Sequence, residues 1–542
     1  MMFRTPGGER VTPSIVEITA LVIGGWLVLR YAWLMDDAYV YFRYVDNLVI
    51  GGKGLVWNGG EFVEGFTSPF WALLLAGLRG FRADYWVAVR AAGVAAFAVF
   101  WWLAVLVNRG LATERGRRTL ALNLPLLYLS VCYGALCYFT SGLESPLVLV
   151  MAALFACAVL WPDSTTLQVS LGVAPLVRPE LAVPYVLALI FIRLRTKRTP
   201  VPAILSGLFL TGGYLAFRVW YYADLFPNTF HLKDEAWVSQ GFVYLWDLFS
   251  SYWALPFLAL LAALYVVVRR RLGSRGSRQT ARLAMLLLAA PVAAYTVRVG
   301  GAPIHFKDLA FPFVLVILAG GGLVESIIAE RTRAVRVVTL VVTALVVLAV
   351  AFSHPRQLRR PPILRPLGFG HSIVEHISDA AFHRAPKMGL IPGRGGGVGM
   401  LSYDAAESRY LGRGEESRVL VEDWCRTAYM HPRAFVVHSL GLTEPFLARM
   451  PVEAERPAHK FGLEEPAGEL AEVRRRYGFQ SGAFSEALED GRGQDWMQRN
   501  LGSIESIEAR AYNRHRFVPN LLKAFSSPEV IRLRESETGR TD

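Results

Sequence analysis

The sequence predicts a polytopic α-helical membrane protein that ends in a polar α/β domain, and three observations carry that prediction. Of the 542 residues, 53% are hydrophobic and 19% charged, where a soluble chain carries about a quarter charged residues; mean hydropathy is +0.34. The apolar surplus lies almost wholly before residue 354, in runs of about 15 to 25 residues, and the longer of these suffice to cross a hydrocarbon core of about 30 Å. Third, basic residues gather in short connections: Arg109, Arg115, Arg117 and Arg118; Arg193, Arg195, Lys197 and Arg198; Arg269, Arg270, Arg271, Arg275 and Arg278; Arg331, Arg333 and Arg336. Such loops stay on the cytoplasmic side.

The same facts exclude other classes. The net charge of +13 sits mostly in these connections, and no basic face with interleaved aromatics points to nucleic acid. Cys132, Cys137 and Cys157 fall in apolar runs and Cys425 stands alone in the tail, so neither a disulfide framework nor redox chemistry is expected. Arg4 and Arg10 precede an apolar run from Ser14 to Trp33 with no small-residue cleavage site after it. This reads as a first transmembrane helix rather than a removable signal.

Taken in order, hydropathy places helices near 14–35, 84–108, 119–139, 145–161, 165–178, 181–195, 200–221, 252–270, 280–298, 308–329 and 333–353, about eleven crossings. The count alternates correctly when the stretch from Thr165 to Arg195, broken by Pro175 and Pro179, makes two short crossings. A single kinked helix is the alternative, and it would put the basic cluster at 193–198 outside. With eleven crossings and a cytoplasmic N-terminus, residues 1–353 form the membrane domain and 354–542 an extracytoplasmic soluble domain. Strand-like runs at Arg418–Val421 and Ala434–His438 give that tail a mixed α/β character. Its Gly393–Gly399 stretch matches no phosphate-loop spacing and reads as a turn. No internal repeat marks a transporter built from inverted halves.

The first outer loop is the most informative segment. Asp36 and Asp37 follow the first span directly, so two crowded carboxylates stand where a lipid head group would lie. Such an acid can accept the proton of an attacking hydroxyl. The pair would also serve as N-caps of a helix beginning at Ala38. In that helix Tyr41, Tyr44, Val45 and Leu48 recur at helical spacing, the pattern of an amphipathic helix lying on the membrane surface with a tyrosine anchor.

The loop string Asp36-Asp-Ala-Tyr, Phe42-Arg-Tyr, Asn47-Leu, Gly52-Lys-Gly-Leu-Val-Trp-Asn58 and Val63-Glu-Gly-Phe-Thr-Ser-Pro-Phe-Trp71 resembles the first-loop signature of the GT-C superfamily of polyprenyl-phosphate-sugar glycosyltransferases. Within that superfamily it is most similar to the terminal arabinofuranosyltransferase family known as AftB. Further matching pieces follow in order: Ser141-Gly-Leu-Glu-Ser-Pro146, Arg178-Pro-Glu180, Phe217 to Thr229 with Lys233, Ser439 to Pro445, and Arg456-Pro-Ala-His-Lys460. The resemblance implies a bacterial cytoplasmic-membrane enzyme whose donor is decaprenyl-phosphate arabinofuranose and whose acceptor is a cell-envelope glycan. One departure concerns the sugar: where such proteins often carry Gly-Gly-Asp before a late helix, this chain has Gly300-Gly-Ala302, leaving His305 and Lys307 to make a different contact.

Under the eleven-helix topology Asp36, Asp37, Glu64, Glu144, Arg178, Glu180, Arg218, Lys233, His305 and Lys307 meet at one outer boundary, and ionisable groups at membrane depth are usually functional. Asp36 and Asp37 are the candidate catalytic acids. Arg178, Arg218, Lys233, Lys307 and His305, with His459 reaching in from the tail, are candidates for the donor phosphate. Glu64, Glu144 and Glu180 then fall to the sugar or the acceptor. The residues specify no cofactor and leave metal dependence open: a divalent cation is a candidate, since carboxylates beside a phosphate can hold Mg²⁺ or Ca²⁺, although no ligand run such as an EF-hand loop is present. Two alternatives belong to other classes: a transporter or flippase of a lipid-linked sugar, which needs charges near the bilayer midplane, and a scaffold whose tail binds glycan.

Overall fold

The computed structural model describes residues 3, 4, 6, 8, 10–59, 62–112, 122–232, 236, 238–250, 252–272, 276–302, 306–330 and 333–352, and in the tail 419–422, 425–429, 432, 435–438, 442, 443 and 448. Lys233, His305, His459 and the glycine stretch at 393–399 lie outside the described residues.

The chain is mostly helical. In order come α1 (Ile15–Arg30), α2 (Ala38–Val49), α3 (Pro69–Gly80), α4 (Tyr85–Leu111), α5 (Leu124–Leu129), α6 (Ser145–Leu160), α7 (Thr165–Leu171), α8 (Ala182–Thr196), α9 (Val201–Tyr222), α10 (Val238–Ser250), α11 (Ala254–Leu272), α12 (Ser277–Arg298), α13 (Ala310–Ala319), α14 (Leu323–Glu330), α15 (Arg333–Phe352) and α16 (Cys425–Tyr429). Among the described residues, four stretches are each long and apolar enough to cross a membrane: Tyr85–Leu111, Val201–Tyr222, Ser277–Arg298 and Lys307–Ala329. Shorter apolar helices cover Ser145–Leu160, Thr165–Val177 and Val335–Val350.

One expected helix is interrupted and the expected break at Pro179 is present, each for a local reason. Over 119–139 the chain makes α5, a short turn of helix at Tyr133–Leu136 and a 3₁₀ turn at Cys137–Thr140. Asn123, at φ +32°, starts α5 and caps it by accepting the Leu126 N–H, and buried side chains satisfy the interrupted backbone: Trp33 Nε1–H donates to the Cys137 carbonyl at 2.9 Å. After α7 and a turn at Ala174–Val177, Arg178 is extended, with φ −154° and ψ 135°. A residue before proline is pushed out of the helical region, so Pro179 both ends the helix and swings the Arg178 side chain out of its path.

The described chain divides into two compact units. The first comprises Met1–Met35, Trp86–Thr211 and Trp237–Ser402, the second Asp36–Tyr85, Gly212–Ala236 and Tyr403–Asp542. In the first unit, a buried polar knot ties helix ends. Glu17 completes a capping box with Ser14, pairs with Arg109 at 2.9 Å and accepts from Asn123. Glu325 accepts from Asn108 Nδ2 at 2.6 Å and from the Asn123 N–H at 2.8 Å. These bonds offset the cost of burying two carboxylates.

In the second unit, α2 packs against α3 and α16. Its residues from Ala38 to Val45 are buried, which corrects the expectation of a helix lying on the membrane: the tyrosine stripe faces protein, because its hydroxyls are needed there. Tyr44 Oη accepts the Gly65 N–H at 2.9 Å and donates to the Val63 carbonyl at 2.7 Å. Tyr41 Oη accepts the Ser68 N–H. A Cβ on Gly65 would stand 2.5 Å from Thr443 Cγ2 and 3.0 Å from Tyr44 Oη, so only glycine lets the loop pass. Besides the short antiparallel pair β1 (Phe3–Arg4) and β2 (Arg10–Val11) of the first unit, the strand-like runs of the tail form β3 (Val419–Glu422) and β4 (Phe435–His438), paired in parallel with Val419 opposite Phe435.

Candidate functional site

The second unit holds the paired acids. Asp37 occupies the N-cap position of α2 in a helical conformation and makes no side-chain capping bond, so capping does not account for it. Asp36 instead turns to the tail: its Oδ2 accepts the Cys425 N–H at 2.8 Å, at the start of α16. Cys425 Sγ is in turn 3.1 Å from His438 Nε2. Both residues are buried, and burial pushes the His438 imidazole down to about 3, so the ring is neutral at pH 7.

The first-loop motif fastens this arrangement. Arg43 on α2 donates to the Trp57 carbonyl at 2.8 Å, to Asn58 Oδ1 and to the Ala428 carbonyl, and its guanidinium lies over the Trp57 ring at 5.0 Å. Asn58 acts as a short strand edge for β4: its Oδ1 accepts the Val436 N–H and its Nδ2 donates to the Val436 carbonyl, both at 2.9 Å. Trp57 Nε1–H reaches the same carbonyl at 2.8 Å. Asp46, Arg79, Tyr85 and Tyr429 form a further polar cluster, with Arg79 Nε 2.8 Å from Asp46 and the Tyr429 hydroxyl 3.1 Å from it. Sequence reasoning had assigned no role to Arg43, Asp46, Trp57, Asn58, Cys425 or His438. Their signal, a cation and polar groups inside an aromatic segment, becomes meaningful only once the tail partners are known.

In the same unit Glu64 and Arg218 come together. The guanidinium is bidentate on the carboxylate, through Nε on Oε2 and Nη2 on Oε1 at 3.2 Å. Tyr214, one helical turn earlier on α9, donates its hydroxyl to Glu64 Oε1 at 2.8 Å, and Arg218 Nη1 reaches the Leu225 carbonyl. All the polar atoms of Glu64 and most of those of Arg218 are thereby engaged, in a buried pair.

The first unit carries a different group. The extended backbone at Arg178 points its guanidinium at three acids: Nη1 is 3.0 Å from Glu144, Nη2 is 3.1 Å from Asp308, and Nε donates to Glu180. Glu144 stands just before α6 and Asp308 in the 3₁₀ turn Lys307–Leu309. Gly300 and Gly301, at φ +83° and +80°, turn the chain out of α12, and Ala302 is buried. The acid that meets Arg178 from this loop is therefore Asp308, six residues beyond the position where an aspartate had been expected. Among the described candidates, then, Asp36, Asp37, Glu64 and Arg218 share one unit and Glu144, Arg178, Glu180 and Lys307 the other.

No family model matches this chain, and no solved structure does. Two curated relatives match it. The terminal β-(1→2)-arabinofuranosyltransferase of Mycobacterium tuberculosis is 36% identical over 281 residues, covering 47% of this chain and 44% of the relative. The protein of the same name from Corynebacterium glutamicum is 27% identical over 364 residues, covering 58% and 51%. The chain spans about half the length of the curated relatives it matches. The resemblance read from the first loop is borne out by both: over about half of its length the chain is similar to two proteins named as terminal β-(1→2)-arabinofuranosyltransferases.

Proposed function

We propose that the protein is a membrane glycosyltransferase that moves arabinofuranose from a polyprenyl-phosphate donor to a cell-envelope glycan on the outer face of a bacterial cytoplasmic membrane. The observation that carries this reading is the 36% identity, over about half of each chain, to a protein named terminal β-(1→2)-arabinofuranosyltransferase, joined to an aspartate, Asp37, that its helix does not use as a cap. The topology that serves it is the one with about eleven crossings and the tail outside. A lipid-linked donor suits an outward-facing site, since nucleotide sugars are cytosolic.

In this reading Asp37, aided by Asp36, takes the proton of the acceptor hydroxyl as it attacks the anomeric carbon. Arg218 with Lys233 receives the departing phosphate and stabilises its negative charge; Glu64 and Tyr214 hold the guanidinium in place, and the N–H groups they leave are the ones for phosphate oxygens. The Arg178 group is assigned to the sugar. Three carboxylates about one cation make it formally 1 − 3 = −2 when all are ionised, a charge that repels phosphate and suits hydroxyl donors. Lys307 and His305 adjoin it in sequence, and His459 is a further donor-phosphate candidate in the tail. An oxocarbenium-like transition state fits this use of acids around the ring.

The test is transfer itself. Purified protein in detergent, given a labelled polyprenyl-phosphate arabinofuranose and an arabinan oligosaccharide, lengthens the oligosaccharide. Asp37→Asn lowers turnover by a factor on the order of 10² to 10⁴ with the thermal unfolding curve unmoved. Absence of any lengthened product would reject the enzyme reading in favour of lipid-linked sugar transport, which a flipping assay in vesicles would then register.

A further inference from the structure

One set of metal-ligating side chains stands apart from the two arginine groups. Asp36 and Asp37 lead into α2, and Cys425 opens α16, 389 residues after Asp36. A carboxylate oxygen of each acid and Cys425 Sγ all lie within 4.8 Å of one another. In a tetrahedral zinc site, with bonds of about 2.0–2.3 Å, such donors lie roughly 3–4 Å apart, so small side-chain rotations close the set. Asp36 is already held beside the thiol by its bond to the Cys425 N–H.

A second observation points to a ligand rather than to packing. His438 is 1% exposed, its Nε2 is aimed at Cys425 Sγ at 3.1 Å, and its Nδ1 has no hydrogen-bond partner among the described residues. With Nε2 on the sulfur, Nδ1 faces away from the set; what His438 contributes is a buried hydrogen-bonding group on the one sulfur donor, as an outer partner that orients a metal ligand does. A sulfur donor beside two carboxylates is the chemistry of a borderline transition-metal ion; Mg²⁺ and Ca²⁺ take oxygen donors instead.

We propose that Asp36, Asp37 and Cys425 bind a divalent cation of the zinc class, with His438 set against the sulfur as a positioning residue and one coordination place open to an oxygen ligand. Three protein ligands and an open place characterise catalytic rather than structural zinc. On binding, the Cys425 S–H bond breaks, its electron pair goes to the metal and its proton to solvent. The cation can then hold the acceptor hydroxyl and make it more acidic, while the second oxygen of Asp37 takes the proton. Binding stands by itself; this use of it rests on the function proposed above.

The full chain, stripped of metal by a chelator in detergent, is titrated with Co²⁺ and followed by thiolate-to-cobalt charge-transfer absorption and by metal analysis. The wild type is expected to bind about one Co²⁺ per chain with the charge-transfer band, as a single thiolate-containing site requires, and to lose the band when Zn²⁺ is added. Cys425→Ser abolishes the band, and Asp37→Asn weakens binding roughly ten- to a hundredfold. Cys425→Asp keeps a bound ion without the band, which separates ligand loss from misfolding. A wild type without the band, or a band that survives both Cys425 variants, overturns the site. Transfer measured on the same samples keeps the two readings distinct: metal bound without transfer rejects the enzyme and leaves the site, whereas transfer in fully metal-free protein rejects the metal's part in the reaction and leaves the enzyme.

Discussion

Arg218 and Arg178 are both buried cations, yet their surroundings differ in the way that underlies the different roles proposed for them. Arg218 meets one carboxylate in a bidentate pair, with Tyr214 as a third member, and the group is formally neutral. Arg178 meets Glu144, Glu180 and Asp308 together. The first is the arrangement of a fixed guanidinium that an anion can still approach. The second is an acidic cluster organised around an arginine, where a phosphate would have to displace a carboxylate. The difference also shows why an arginine beside a membrane cannot be read as a phosphate ligand from its position alone.

The largest effect that separates the two groups is on stability. Glu64→Gln leaves Arg218 without its bidentate partner and is expected to cost about 3–5 kcal/mol, the range for breaking a buried ion pair, whereas Glu144→Gln leaves Arg178 two acids and costs roughly 1 kcal/mol. Denaturation in detergent followed by tryptophan fluorescence measures both. Equal losses would show that the three acids do not share the burden as the geometry implies.

Next in size is donor affinity. Arg218→Lys keeps the charge but loses the planar fork, and donor binding is expected to weaken roughly tenfold, about 1.4 kcal/mol. Arg178→Lys is expected to leave binding of a polyprenyl phosphate without sugar unchanged and to weaken only the glycosylated donor. Comparing the two lipids by calorimetry or a filter-binding assay tests this; a loss of bare polyprenyl phosphate in the Arg178 variant would return that arginine to the phosphate. The smallest effect is at Tyr214. Tyr214→Phe removes one hydrogen bond to Glu64 and is expected to cost about 1 kcal/mol, read as a modest fall in melting temperature with donor affinity nearly retained.

Much of the functional reading was available before any geometry. The pair Asp36-Asp37 after the first apolar run, and the ordered motifs from Ser141 to Thr229, suffice for the resemblance and for the acids on which the proposed function rests. Alternatives that composition left open were narrower questions of contact. Whether Asp37 caps α2 depends on a rotamer, and its side chain makes no capping bond. Whether Tyr41 and Tyr44 face lipid or protein depends on what lies opposite, since periodicity marks a face and not its partner. The hydroxyl bonds to Val63, Gly65 and Ser68 answer that.

The sequence by itself determined the class of molecule, because hydropathy, arginine placement and helix-breaking prolines are local properties that survive in one dimension. Pro179 is enough to predict the break at Arg178, and Gly300 with Gly301 enough to predict a turn before α13. Only the tertiary structure decided which charges neutralise which: that Asp308 rather than residue 302 brings the acid to Arg178, that Asn58 and Trp57 bind the edge of β4, and that Cys425 and His438 stand beside Asp36 and Asp37. Those partners lie up to 389 residues apart. Coulomb and hydrogen-bond energies depend on separations of a few ångströms, which spacing along the chain does not encode.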